Sequence, residues 1–308
     1  MAVARAHRAR SRVKDARFQW LDRRSLPFHS HHMPIDYEAE YDNRARVKEH
    51  PAILARIANA ASAYRMQTTA EGRSDFNLPY GPSQRQFVDI FFSRAGEGAP
   101  LAMFIHGGYW RSLEPAMFSG VARGLNARGV TVALAGYDLC PQVGIGEIIE
   151  QMESACLFLW NRFRKRILVY GHSAGGHLAG ALLAADWVKR GAPADLVPSA
   201  MSISGLFDLA PVIATSMNAD FKLDEAEARR VSPLFWPPPA GRVLDAVVGG
   251  DESGEFLRQS RIIAEHWSSA GVATRYEAIA GANHFTVIEP LADPDSAIVN
   301  RLLELMPK

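Results

Sequence analysis

The sequence predicts an α/β fold: a mostly parallel central sheet with helices on both faces. Three observations carry this. From about residue 87 onward, short apolar and β-branched runs alternate with longer stretches of helical period. The run Gly171-His172-Ser173-Ala174-Gly175 stands where one apolar run, 167–170, gives way to a helix-forming segment. That is the setting of a nucleophile elbow, a strained strand-to-helix turn that lifts its serine above the sheet. Finally, 308 residues, 48% of them hydrophobic and 22% charged, are enough for one large α/β core.

The elements follow in chain order. From Asp36 to Ala63 charged and apolar residues interleave as in a helical segment. After the Gly81-Pro82 break, residues 87–92 and 101–105 read as strands. A helix around Val121 and Leu125 ends near Gly129, and 130–135 is the next strand. Residues 145–163 are helical, with Ile148, Met152, Cys156 and Leu159 on one face. The elbow strand and its helix, through Leu178, Leu182, Leu183 and Trp187, come next. Three further strands (201–203, 243–248 and 274–279) and helices near 256–267 and 297–305 complete the alternation. Residues 211–239 break the rhythm and suggest a small cap inserted over the site, its exit stiffened by Pro237-Pro238-Pro239.

The net charge of +1 points away from nucleic acid and polyanion partners. It hides an asymmetry, because residues 1–32 carry a net +6 and residues 33–308 a net −5. The basic head has no period of its own. It reads as a disordered arm, as an Arg-rich targeting peptide, or as sequence upstream of a true start at Met33 and so absent from the mature protein. The change of character at Met33 favours the last, leaving residues 33–308 as the α/β domain. Cys140 and Cys156 make no disulfide framework and no zinc motif, which fits a reducing cytoplasm. No apolar run approaches the roughly 18 residues of a membrane span.

A serine hydroxyl is a weak nucleophile at neutral pH, so Ser173 needs a base, and the base an orienting acid. In folds with this elbow the chain order is serine, acid, histidine, each after a strand. His284, in Gly281-Ala282-Asn283-His284-Phe285, follows the last strand, whereas His266 sits within a helix. For the acid, Asp251 comes first after the Gly249-Gly250 turn and is chosen. Glu252 is the near rival, with an alternative reading as an acid at a helix N-terminus. Asp208 is more remote and reads better as a helix cap. The run His106-Gly107-Gly108-Tyr109-Trp110 ends the second strand as a loop that offers backbone donors to an oxyanion. The N–H groups of Gly108 and Tyr109, with that of Ala174, are expected to converge there. His106 is expected to hold the loop shape, and His172 and His177 to make packing or polar contacts.

With these residues in place the chain resembles the α/β-hydrolase-fold kynurenine formamidases (arylformamidases), within the hormone-sensitive-lipase-like esterases. The resemblance rests on His106-Gly107-Gly108-Tyr109-Trp110, on the elbow continued as Gly176-His177-Leu178, and on Tyr137-Asp138-Leu139-Cys140-Pro141. Ser204 to Leu209, Gly250-Asp251-Glu252-Ser253, Asn283-His284-Phe285 and Tyr41-Asp42-Asn43-Arg44-Ala45 add to it. It spans roughly residues 33–308. It implies an α/β-hydrolase that cleaves N-formyl-L-kynurenine to kynurenine and formate, in tryptophan breakdown, through a formyl-serine. Neither metal nor cofactor is required, the partner is a small-molecule substrate, and family habit suggests a homodimer. Tyr109, Trp110 and Phe285 are expected to line the aromatic pocket. The rival readings are a carboxylesterase with the same catalytic residues and, more remotely, an inactive binding protein on a hydrolase scaffold.

Overall fold

The computed structural model describes residues 34–307. The basic head, with its three readings, lies outside the described residues.

Eight strands form the sheet: β1 (Ser74–Pro79), β2 (Phe87–Phe91), β3 (Leu101–Ile105), β4 (Thr131–Ala135), β5 (Ile167–His172), β6 (Ser199–Ile203), β7 (Val243–Gly249) and β8 (Ala273–Ile279). Their spatial order is β1-β2-β4-β3-β5-β6-β7-β8. β1 and β2 run antiparallel to their neighbours, and every pairing from β4 to β8 is parallel. The helices are α1 (Tyr37–Tyr41), α2 (Asn43–Arg46), α3 (His50–Ala70), α4 (Ala122–Ala127), α5 (Ile145–Phe163), α6 (Ala174–Ala184), α7 (Asn218–Phe221), α8 (Glu225–Arg230), α9 (Gly254–Ser268) and α10 (Ala297–Glu304).

The central strands read as unbroken apolar runs because both faces are covered. Leu101, Met103 and Ile105 of β3 enter one core with α5, α6 and α9. Ala102 and Phe104 enter the other, with α4 and α10. The same alternation sends Val169 of β5 to the first core and Leu168 and Tyr170 to the second. Side chains therefore alternate with a period of two, yet all of β3, β4 and β5 is buried.

The segment predicted as one helix over 36–63 is three. The Asp42 side chain accepts from the Ala45 N–H, capping α2 where α1 ends, and Val47 is extended before Pro51 opens α3. β1 escapes prediction because Ser-Asp-Phe-Asn-Leu-Pro is a polar edge strand with an irregular register between Asp75 and Leu78. The cap segment folds as short turns and helices, with α7 and α8 between β6 and β7. Cys140 and Cys156 are free and buried. Among the described residues no helix is long and apolar enough to cross a membrane.

Candidate active site

Ser173 sits between β5 and α6 with φ 56° and ψ −118°, a backbone conformation that a side-chain-bearing residue adopts only under constraint. The constraint is close packing around the elbow. A Cβ on Gly175 would lie 1.9 Å from the Ile105 carbonyl oxygen, so only glycine lets α6 start this close to β3. A Cβ on Gly107 would fall 3.0 Å from the Cβ of Ser173, so the loop after β3 packs directly on the serine.

His284 lies beyond β8, and both it and Ser173 line one cavity of about 500 Å³. Its Nδ1 is 2.6 Å from Oε2 of Glu252. Because a carboxylate only accepts, Nδ1 carries the proton and Nε2 is left as the basic nitrogen. The imidazole is wedged between the rings of His172 and Phe256, at centroid distances of 4.7 and 4.6 Å. The His172 Nε2 donates to the His284 carbonyl at 2.8 Å, tying the residue before the serine to the histidine loop. Burial, and secondly the neighbouring His284, holds the His172 pKa well below the ordinary value, so His172 is a neutral donor.

The acid is where the sequence reading needs correction. Asp251, the chosen residue, is exposed at the tip of the turn after β7, and the carboxylate that meets His284 belongs to Glu252. The turn decides this. The Asp251 N–H donates to the Ala282 carbonyl and the Glu252 N–H to that of Gly249, so the chain doubles back and aims the second acid inward. The other Glu252 oxygen then accepts from the Gly249 N–H at 2.7 Å and from Ser204 Oγ at 2.5 Å. Ser204 follows β6, and although its stretch contributes to the resemblance, nothing local in the sequence assigns its hydroxyl to the acid. Asp208 instead faces Arg258 and the Ala210 N–H.

Gly107, Gly108 and Tyr109 all line the cavity. Gly108, Tyr109 and Trp110 have φ of 111°, 50° and 53°, all positive. Among the described residues the N–H groups of Gly108, Tyr109 and Ala174 have no acceptor. Each non-glycine residue held left-handed costs about 1–3 kcal/mol, so the loop needs external ties. Tyr109 Oη donates to the Tyr41 carbonyl at 2.6 Å and accepts from Asn43 Nδ2 at 3.3 Å. The Trp110 carbonyl accepts from the Cys140 N–H at 2.8 Å.

Trp110 is a second correction. It is fully buried, edge-on to His177 and Phe221, and does not line the cavity; its bulk supports the loop from beneath. Tyr109 and Phe285 do line the cavity. His106 stacks on Tyr137 at 4.4 Å and bonds the Gly107 carbonyl through Nδ1, and His177 bonds the Val231 carbonyl. Burial lowers both pKa values to about 4, so both stay neutral. Among the described residues no group of three His, Cys, Asp or Glu side chains is placed to hold a metal ion.

Residues 102–288 match the family model for the α/β hydrolase fold. The chain is 30% identical to a kynurenine formamidase of Salmo salar, over 75% of this chain and 82% of that protein. It is 29% identical to a kynurenine formamidase of Drosophila melanogaster, over 85% and 93%. A solved structure from Silicibacter, provisionally named a thioesterase, superposes with a TM-score of 0.77 at 32% identity, covering 87% of this chain and 99% of that one. The chain belongs to the α/β-hydrolase family, within its kynurenine formamidase group.

Proposed function

We propose that the protein hydrolyses the formamide of an N-formyl arylamine, N-formyl-L-kynurenine being the substrate its relatives' name indicates. The observation that carries the mechanism is the buried Glu252–His284 pair opening on the cavity that Ser173 lines. His284 Nε2 takes the proton of Ser173 Oγ as the oxygen attacks the formyl carbon. Glu252 holds the imidazole in the required tautomer and balances the imidazolium that forms. The N–H groups of Gly108, Tyr109 and Ala174 receive the oxyanion. His284 then protonates the departing arylamine nitrogen, and a water activated by the same histidine releases formate from the formyl-serine. An arylamine leaves more readily than an alkylamine because its lone pair is delocalised into the ring, so an esterase-type site suffices.

The test is kcat/KM on N-formyl-L-kynurenine against p-nitrophenyl acetate, with Ser173→Ala as the blank. A preference for the formamide of a hundredfold or more, about 2.7 kcal/mol, is the expected outcome. Ester turnover with negligible formamide cleavage would overturn the substrate and leave the serine chemistry standing.

A further inference from the structure

The wall of the cavity opposite in sequence to the elbow comes from α1, α2 and the start of α3, which lie outside the matched family segment of residues 102–288. Five carboxylates and guanidiniums line that cavity: Glu38, Asp42, Arg44, Arg111 and Asp220. Four have a partner. Glu38 accepts from the N–H and Oγ of Ser216 at 2.6 and 2.7 Å, and Asp42 accepts from the Ala45 N–H. Arg111 pairs with Asp220 at 2.7 Å. Arg44 alone of the five has neither an ion pair nor a side-chain hydrogen bond among the described residues.

The backbone that carries it is nonetheless tied to the loop beside Ser173. The neighbouring Asn43 is buried and donates to Tyr109 Oη, and that same hydroxyl is tied to the Tyr41 carbonyl. The corner between α1 and α2 is thus pinned to the loop expected to hold the oxyanion. Leu54, Phe118, Phe285 and Ile288 add apolar surface to the same cavity. An uncommitted guanidinium that lines this cavity from a tethered backbone corner suits a carboxylate. Glu38 and Asp42, which line the same cavity, have only neutral donors as partners, so no cation among the described residues pairs with them. That favours a carboxylate accompanied by an ammonium over a bare anion.

We infer that Arg44 is a specificity-determining residue that binds the carboxylate of an α-amino-acid group carried on the leaving-group side of the substrate. This deepens the proposed function and rests on its placing of the reacting bond at Ser173. Because the contact is remote from that bond and equal in ground and transition states, its loss falls on KM rather than kcat.

Two substrate pairs test it, each a neutral aryl compound and its amino-acid-bearing counterpart: formanilide with N-formyl-L-kynurenine, and phenyl acetate with O-acetyl-L-tyrosine. The readout is the ratio of kcat/KM within a pair, which is independent of the fraction folded. The wild type is expected to favour the amino-acid member. Arg44→Gln is expected to cut that ratio about tenfold, through KM, with Arg44→Lys restoring part of it. The wild-type preference should shrink at high salt, since Arg44 is exposed. A ratio unchanged in Arg44→Gln, or one that falls through kcat alone, would overturn the assignment. If the wild type cleaves the esters but neither formamide, the formamidase reading fails, and the ester pair still decides the role of Arg44.

Discussion

Glu252 and Glu255 stand three residues apart after β7, both carboxylates nearly lost to solvent at 6% and 4% exposure, and they do opposite things. Glu255 is a tie. Its oxygens accept from both arms of the Arg258 guanidinium at 2.7 and 2.8 Å and from the Tyr41 hydroxyl at 2.8 Å. Its hydrogen bond raises the Arg258 pKa above the ordinary value, and burial raises that of Tyr41. Neither partner changes charge near neutral pH, and the cluster fastens α1 to α9. Glu252 has one oxygen fixed by Ser204 and the Gly249 N–H, and spends the other on an imidazole that lines the cavity. Burial and hydrogen bonding are alike in the two. What separates the two is that the partner of Glu252 lines the cavity beside Ser173, where the proposed mechanism needs a base.

The largest effect should come from Glu252→Gln. The amide oxygen can still accept from Ser204 and Gly249, but the amide NH2 then faces Nδ1 and forces the proton onto Nε2, the nitrogen that must be basic. A fall in kcat of about 10³–10⁴-fold is expected, with a thermal unfolding curve showing the fold retained. A fall below tenfold would remove Glu252 from the mechanism.

The buried imidazoles that lack a carboxylate sharpen the contrast. His106 and His177 bond carbonyl oxygens, and burial lowers their pKa values from 6.5 to about 4. The unfolded chain therefore takes up their protons before the folded one does. Their contribution is whole above pH 6.5, is lost as pH falls from 6.5 toward 4, and amounts to on the order of 3 kcal/mol for each. Urea midpoints measured across that window should fall, and His177→Gln should flatten the fall. A slope identical in that variant would contradict the assignment.

Glu255→Gln comes next. It leaves Arg258 only the longer contact to Asp208 at 3.5 Å, but that side chain is 35% exposed and water screens the loss, so about 2 kcal/mol of stability is expected. In melting temperature this is roughly 4–8 °C. Activity per folded molecule should change by less than about threefold, the reverse of the Glu252 result.

How far the sequence shows this in advance depends on what each residue's setting requires. β3 to β7 are legible because strands covered on both faces need long apolar runs. β1 is not, because an edge strand tolerates Asp75, Asn77 and Pro79. That Ser173 and His284 would line one cavity is legible because the elbow and the last loop have a fixed place in the chain. Trp110 misleads, because an aromatic beside a candidate site is as apt to support its floor as to line it. Ser204 and Asn43 act through contacts across the fold that no local pattern encodes.

The acid itself is the sharpest case, and Asp251→Asn is the smallest and most telling change. Asp251 and Glu252 are adjacent, both acidic, both after the same glycines, and nothing in composition ranks the longer side chain first. The choice is made by three backbone bonds: Gly250 to the Ile279 carbonyl at 2.7 Å, Asp251 to that of Ala282 at 3.0 Å, and Glu252 to that of Gly249 at 3.2 Å. They fold the turn so that residue 251 faces water and residue 252 faces β6. The Asp251 side chain makes no hydrogen bond or ion pair among the described residues, and its backbone donor survives substitution. Asp251→Asn should therefore leave kcat/KM within about twofold and stability within about 0.5 kcal/mol. A loss approaching that of Glu252→Gln would mean that the turn rearranges when substrate binds and that the two acids exchange places.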